Sequence, residues 1–243
     1  TDDKCGPERW DLKTVMEKAL AQRRFPIRRA ASRDTRLIAK LANMAGGDTL
    51  AFILRGIDST AEATPTYRQM AAEPTGIYSY QNCLVAASGS RIVGMANAFP
   101  ARLIEREIAG AVLTEREELL RPRTELNDPT SFLLNNIAVL RSHRRLGVGA
   151  ALLAAVVNEA KQQSFPSVTL HVWADNTEAI AFYLAAGFKE LGHAEIPWHP
   201  DLPHTGGSLL MTRPVGFERD ESVRRRLATV SQDSADERAS TSA

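Results

Sequence analysis

The sequence predicts an α/β fold, a mixed sheet of six or seven strands with helices on both faces. Three observations predict it. From Phe132 to Ala186 the chain alternates strand, helix, strand, helix, an order that sets two neighbouring strands parallel with a helix crossing between them. Before this, the apolar run Asn82 to Ala87 returns as Arg91 to Phe99 across Ser88-Gly89-Ser90, which reads as an antiparallel hairpin. After it, His193 to Trp198 and Ser208 to Pro214 read as two last strands joined by a loop rich in Pro and Gly.

The elements follow in order. Residues 1–24 read as a helical appendage, because Trp10, Leu12, Val15, Met16, Ala19 and Leu20 repeat at helical spacing. Phe25 to Arg29 is a short strand. Ser32 is placed to cap a helix carrying Leu37, Ile38, Leu41 and Met44 on one side, and Gly46-Gly47 breaks it. A second helical region spans about Asp48 to Ala72, with an interruption expected around Pro65. Residues 100 to 130 are polar and carry no motif; they read as strand continuation and a solvated loop. Phe132 to Val139 is an apolar strand, Gly149 to Gln162 a helix, Val168 to Trp173 a strand and Thr177 to Ala186 a short helix. The domain is therefore expected over 25–215, and the polar stretch 216–243 reads as a disordered tail.

Composition narrows the function. Hydrophobic residues make up 44% and charged residues 24%, the balance of a globular chain able to bury a core. A net charge of +1 supplies no bulk field for nucleic acid or an anionic membrane, so neither is expected as a partner. No apolar run approaches the roughly 20 residues of a membrane span. Two cysteines, Cys5 and Cys83, do not make a disulfide framework and point to a reducing, cytoplasmic setting. His193, His199 and His204 match no zinc spacing, so no metal is expected.

The segment Ile137-Ala138-Val139-Leu140-Arg141-Ser142-His143-Arg144-Arg145-Leu146-Gly147-Val148-Gly149-Ala150 carries the chemistry. A strand ends, a basic loop follows, and glycines open an apolar helix. That is an anion cradle: glycine lets backbone approach a ligand closely, and the unpaired N–H groups of the first helical turn point at it. Arg144 and Arg145 add charge-assisted bonds to phosphate. The pattern is neither a nucleotide P-loop nor a dinucleotide fingerprint, because no Gly-Lys-Ser/Thr follows and the third glycine position fails.

A second motif follows the next strand: Asn176, then Tyr183 seven residues on, then Gly187-Phe188. The pair R-x-x-G-x-G in Arg144 to Gly149 and N-x6-Y-x3-G-F in Asn176 to Phe188 resembles the GNAT superfamily of N-acetyltransferases, over roughly Phe25 to Pro214. The resemblance implies acetyl-CoA as co-substrate and a sheet splayed between the strand ending at Val139 and the strand through His171. It also implies roles. Ile137, Ala138 and Val139 would pair backbone with the pantetheine arm, and a backbone N–H near Val139 would face the oxyanion. The loop Arg144, Arg145, Leu146, Gly147, Val148, Gly149 and Ala150 would hold the pyrophosphate, and Asn176 would bond the pantetheine amide region.

Tyr183 stands where similar enzymes carry the general acid for the leaving thiolate; a phenol, with an ordinary pKa near ~10, arrives protonated. The position of the general base in some members holds His171, whose imidazole ordinarily titrates near ~6.5. Strand alternation sets Thr169 and His171 on one face and Val168, Leu170 and Val172 on the other. A purely structural histidine is the competing reading, and Asn135 or Asn136 could order a water instead. Trp198 and His199, and the acids Asp48, Asp58 and Glu62, are candidates for the acceptor wall, the acids suiting a cationic amine. The expected activity is direct acetyl transfer to a primary amine, small molecule or peptide, in a ternary complex; the alternatives are a non-catalytic acyl-CoA sensor or a transferase of longer acyl chains. A homodimer is compatible with the appended helix.

Overall fold

The computed structural model describes residues 24–46, 48–58, 60–109 and 112–216. The expected helix in 1–24 and the expected tail in 216–243 lie outside the described residues, apart from Arg24 and Gly216. The sheet has seven strands: β1 (Ile27–Arg29), β2 (Cys83–Ser88), β3 (Arg91–Pro100), β4 (Phe132–Val139), β5 (Ser167–Trp173), β6 (Lys189–Ala194) and β7 (Ser208–Pro214). Their spatial order is β1-β2-β3-β4-β5-β7-β6. Every neighbouring pair is antiparallel except β4 and β5, which the crossover helix makes parallel.

Helices cover both faces, as their apolar stripes require. On the first face, Leu152, Leu153, Val156 and Ala160 of α7 (Val148–Gln162) pack on Phe132, Leu134, Val168 and Leu170. On the second, Ile38, Leu41 and Ala42 of α1 (Thr35–Ala45) pack on Cys83, Val85, Met95 and Ala138. Tyr67 and Ala71 of α3 (Ala63–Ala72) close over α1. The full burial of β3 from Ile92 to Phe99 marks the strand sandwiched between these layers.

The feature that makes the site is a break in the sheet. Parallel pairing of β4 with β5 covers only Phe132, Leu133 and Leu134 against Val168, Thr169 and Leu170. At that point β4 gains a residue over β3: Asn97 pairs with Asn136 and Ala98 with Leu134, so Asn135 is the extra residue of a β-bulge. The bulge turns β4 away, and Asn135 to Val139 and His171 to Trp173 diverge with no ladder between them. The expected central splay is therefore present.

Four local expectations are corrected. Ser32 makes no side-chain cap; Asp34 does the tying, its carboxylate accepting from the Ala31 N–H at 2.8 Å and from Arg28 at 2.6 Å. Pro65 does not interrupt a helix. The break falls between α2 (Thr49–Ile57) and α3, and Pro65 sits in the first turn of α3, where its missing N–H would be unpaired anyway. Residues 100–130 form three short helices, α4 (Arg102–Ile108), α5 (Glu115–Leu119) and α6 (Arg121–Glu125). The first of the last two strands is Lys189–Ala194, not His193 to Trp198, because Pro197 has no N–H for the ladder and β6 is an exposed edge with no apolar alternation to read.

Candidate active site

The loop after β4 is built to present N–H groups. Arg145 has φ +61° and Gly147 has φ +85°, so left-handed residues turn the chain sharply into α7. The first internal helical bond runs from Ala151 N–H to the Gly147 carbonyl, which leaves the N–H groups of the first turn free. Gly149 has a different explanation from Gly147. It lies inside the helix, and a Cβ built there would meet nothing nearer than Phe182 at 3.5 Å, an ordinary contact. Nothing in the protein's own packing calls for glycine at that position. The missing side chain leaves the cradle open, which is the fit a phosphate of coenzyme A requires.

A cavity of about 850 Å³ runs from this cradle through the splay. Ile137, Ala138, Val139, Arg144, Arg145, Gly147, Gly149, Ala150 and Asn176 line it, which brings together nine of the eleven residues expected to hold the coenzyme. Leu146 and Val148 do not line it: Leu146 is exposed, and Val148 is buried beneath the sheet. Asn176 also caps α8 (Thr177–Ala185), its Oδ1 accepting the Ala179 N–H at 3.2 Å.

The cavity has two ends on opposite faces of the sheet. Arg144, Arg145 and the α7 terminus belong to the first face, with Tyr183, which packs between Phe182 and Phe188 in the same core as Val168 and Leu170. Burial pushes the Tyr183 phenol up to about 12, so it stays protonated at any ordinary pH. His171 alternates to the second face and lines the cavity there. Burial, and then the Arg123 cation, push its pKa down to about 3. The expected titration near neutrality is thus absent: the imidazole is neutral, and its Nδ1 is buried without a partner. Asn136 donates to the Tyr67 hydroxyl at 3.4 Å, and Asn135 donates to Asn97 Oδ1 at 3.0 Å.

Several second-face residues escaped the sequence reading. Arg123 lines the cavity from α6, and its guanidinium lies over the Trp173 ring, 5.6 Å from the centroid. Trp173 is itself fixed: its indole N–H donates to Thr49 Oγ1 at 3.0 Å, and His204 stacks on it at 4.5 Å. Asn43 Oδ1, Arg123 Nε and His171 Nδ1 are all buried, unpartnered and set in the wall of this one cavity. Buried polar atoms are rarely left unpaired, and three around one cavity mark a place for a polar ligand. In the sequence these residues are one of several arginines in a polar stretch and a helix asparagine, with no spacing to signal them.

Other candidates fall away from the cavity. None of Asp48, Asp58 and Glu62 lines it, and Asp58 is bound to Thr60 at 2.8 Å. Trp198 is 76% exposed, and His199 packs edge-on against Phe52. No cluster of metal-ligating side chains occurs among the described residues.

Comparison with known proteins meets this geometry. The family described as "Acetyltransferase (GNAT) family" matches residues 54–188. The [Ribosomal protein bS18]-alanine N-acetyltransferase of Escherichia coli K12 is 38% identical over 92 residues, which is 38% of this chain and 60% of that protein. The chain thus matches less than two thirds of that relative's length. An N-acetyltransferase structure from Staphylococcus aureus Mu50 superposes with TM-score 0.57 at 21% identity, over 76% of this chain and 98% of that one. The Escherichia coli ribosomal-protein-S18-alanine N-acetyltransferase structure gives 0.50 at 16% identity, over 81% and 97%. The family match spans more than half of the chain and contains the splay, the glycine loop after β4 and Tyr183; the protein belongs to the GNAT acetyltransferase family.

Proposed function

We propose that this protein transfers an acetyl group from acetyl-CoA to a primary amine by direct attack in a ternary complex. The observation that carries the reading is the single cavity that crosses the splayed sheet, with the phosphate cradle at one end and unpartnered polar atoms at the other. Two reactants held in one cleft from opposite faces gain most of their rate from proximity. The open edge of β4 from Ile137 to Val139 offers backbone pairing to the pantetheine arm, and its N–H groups offer a bond to the developing oxyanion.

Tyr183 acts as a hydrogen-bond donor to the departing sulfur. With a phenol near 12 and a thiol ordinarily near ~8.5, donation stabilises the thiolate without full transfer of the proton being required. Tyr183, seven residues after Asn176 where the family resemblance puts the general acid, argues against a pure binding module. His171, neutral throughout, accepts a hydrogen bond from the amine and holds it; net proton loss goes to water. The acceptor is a small-molecule or peptide amine, a class that includes the alanine of ribosomal protein bS18 on which the relative acts by its name.

The test is release of free thiol from acetyl-CoA against a panel of small amines, polyamines, aminoglycosides and peptides. Amine-dependent release with intersecting initial-velocity lines is expected. Parallel lines, or thiol release indifferent to every amine, would overturn direct transfer.

A further inference from the structure

Resting on that reading, we propose that the acceptor is an amine that carries a carboxylate close to the reacting nitrogen, and that Arg123 binds this carboxylate. Arg144 and Arg145 belong to the phosphate end on the first face. The second face, where the acceptor enters, is lined by His171, Tyr67, Tyr78, Trp173 and Asn43, and Arg123 is its one charged residue. Acidic side chains that would greet a polycation are absent from that end among the described residues: the acid in the cavity wall is Glu178, on α8 beside Asn176.

Among the described residues, no carboxylate pairs with Arg123. It lies over the Trp173 ring and beside the Tyr78 phenol, and its charge bears on the His171 imidazole. The carboxylates that bear on the neighbouring Tyr78 are Glu107 and Glu117, and both are engaged elsewhere. Glu107 Oε1 accepts the Ile77 N–H at 3.2 Å, and Glu117 Oε2 accepts the Thr114 N–H and hydroxyl at 2.8 Å. Burial pushes even this guanidinium down to about 10. Holding a desolvated cation with no counter-charge is costly, and a protein keeps one where a ligand supplies the missing charge. The guanidinium is a planar fork matched to carboxylate, and the Trp173 ring, held by Thr49 and His204, fixes its plane. The other end of the acceptor meets neutral acceptors, Asn43 Oδ1 and His171 Nδ1, that can take N–H bonds from an amine.

The carboxylate can belong to a free amino acid or to an acidic side chain next to a peptide N-terminus. Matched substrates separate the two: glycine against glycinamide, and an Ala-Glu tetrapeptide amide against its Ala-Gln counterpart. The wild type should favour the carboxylate member of one pair by about 10²-fold or more in kcat/KM, as expected for a charge-assisted contact. Arg123→Met should bring that ratio close to one, and Arg123→Lys should restore part of it. Arg123→Met should also keep or raise the melting temperature and leave the affinity for coenzyme A unchanged; a structural arginine would do the reverse. Equal turnover of both members of both pairs by the wild type overturns the proposal, as does a ratio that survives in Arg123→Met.

Binding decides the question even without turnover. N-acetylglycine should bind the coenzyme-A-loaded protein in calorimetry, or the N-acetyl form of the acidic peptide should, while the neutral analogue does not. Such binding without transfer would refute the acetyl-transfer reading and leave the carboxylate site standing. No carboxylate-dependent binding would refute the site.

Discussion

Gly147 and Gly149 lack side chains for different reasons, and substitution should separate them. Gly147 holds φ +85°, where a side chain is strained, so Gly147→Ala should destabilise the fold by roughly 1–2 kcal/mol and also weaken the coenzyme. Gly149 is helical with room for a Cβ, so Gly149→Ala should stabilise the protein by about 0.5–1 kcal/mol. The same change should weaken acetyl-CoA binding in calorimetry, because the new methyl group enters the phosphate cradle. Tyr183→Phe removes one hydroxyl from a ring that packs with Phe182 and Phe188, so folding and coenzyme affinity should survive. Its kcat should fall about 10²-fold or more if the phenol assists the leaving sulfur; a drop of less than threefold would remove it from the chemistry. At this scale the sequence was most legible where a motif fixes backbone, as in Arg144 to Gly149 and Asn176 to Tyr183. The second-face residues were not legible, because Arg123, Asn43 and Tyr67 meet only through tertiary packing of α6, α1 and α3.

Among the elements, β4 sets the geometry and its bulge is the hinge of that geometry. Asn97, fully buried on β3, holds the region together: its Nδ2 donates to the Ile77 carbonyl at 3.0 Å and its Oδ1 accepts from Asn135, the bulged residue. Asn97→Ala should cost about 2–3 kcal/mol in urea unfolding, since it leaves buried polar groups unpaired. It should also raise the KM for acetyl-CoA by loosening the edge of β4. An unchanged midpoint would mean that the bulge is held by backbone alone. Strands and long helices were legible from apolar alternation and periodicity. The bulge was not, because Asn135-Asn136 reads as an ordinary pair in a strand until its register against β3 is known. The helices of 100–130 were not legible either, being five to seven residues long and largely solvated, with the Thr114–Glu117 capping box of α5 and Pro122 in the first turn of α6 as local signals too weak to place them.

For the whole molecule, the neutral imidazole in the cavity wall writes a signature into acid stability. His171 titrates near 3 when folded and near ~6.5 when unfolded. Between those values the unfolded chain binds a proton that the native state refuses, so stability falls as pH drops from about 6.5 toward 3 and is flat above that window. Asp34, lowered by its hydrogen bond with Arg28, loses its share only below the ordinary carboxylate range. Melting curves of the wild type should therefore shift down between pH 6 and 4 more steeply than those of His171→Gln. Coincident slopes would mean that the imidazole is solvated.

The outer margins of the sheet are poor templates for a foreign strand. β1 is three residues long and carries Arg28 and Arg29, while β6 presents Lys189 and Glu190 and is kinked by a register shift before Gly192. The inner unpaired edges, Asn135 to Val139 and His171 to Trp173, face one another at the floor of a cleft walled by α1 and α8. A slender, flexible chain can thread between them, but a β-strand from a second molecule, with its side chains standing on both sides, meets those helices first. Turned inward, these two edges keep a strand-pairing surface open to a threaded chain while shielding it from edge-to-edge association.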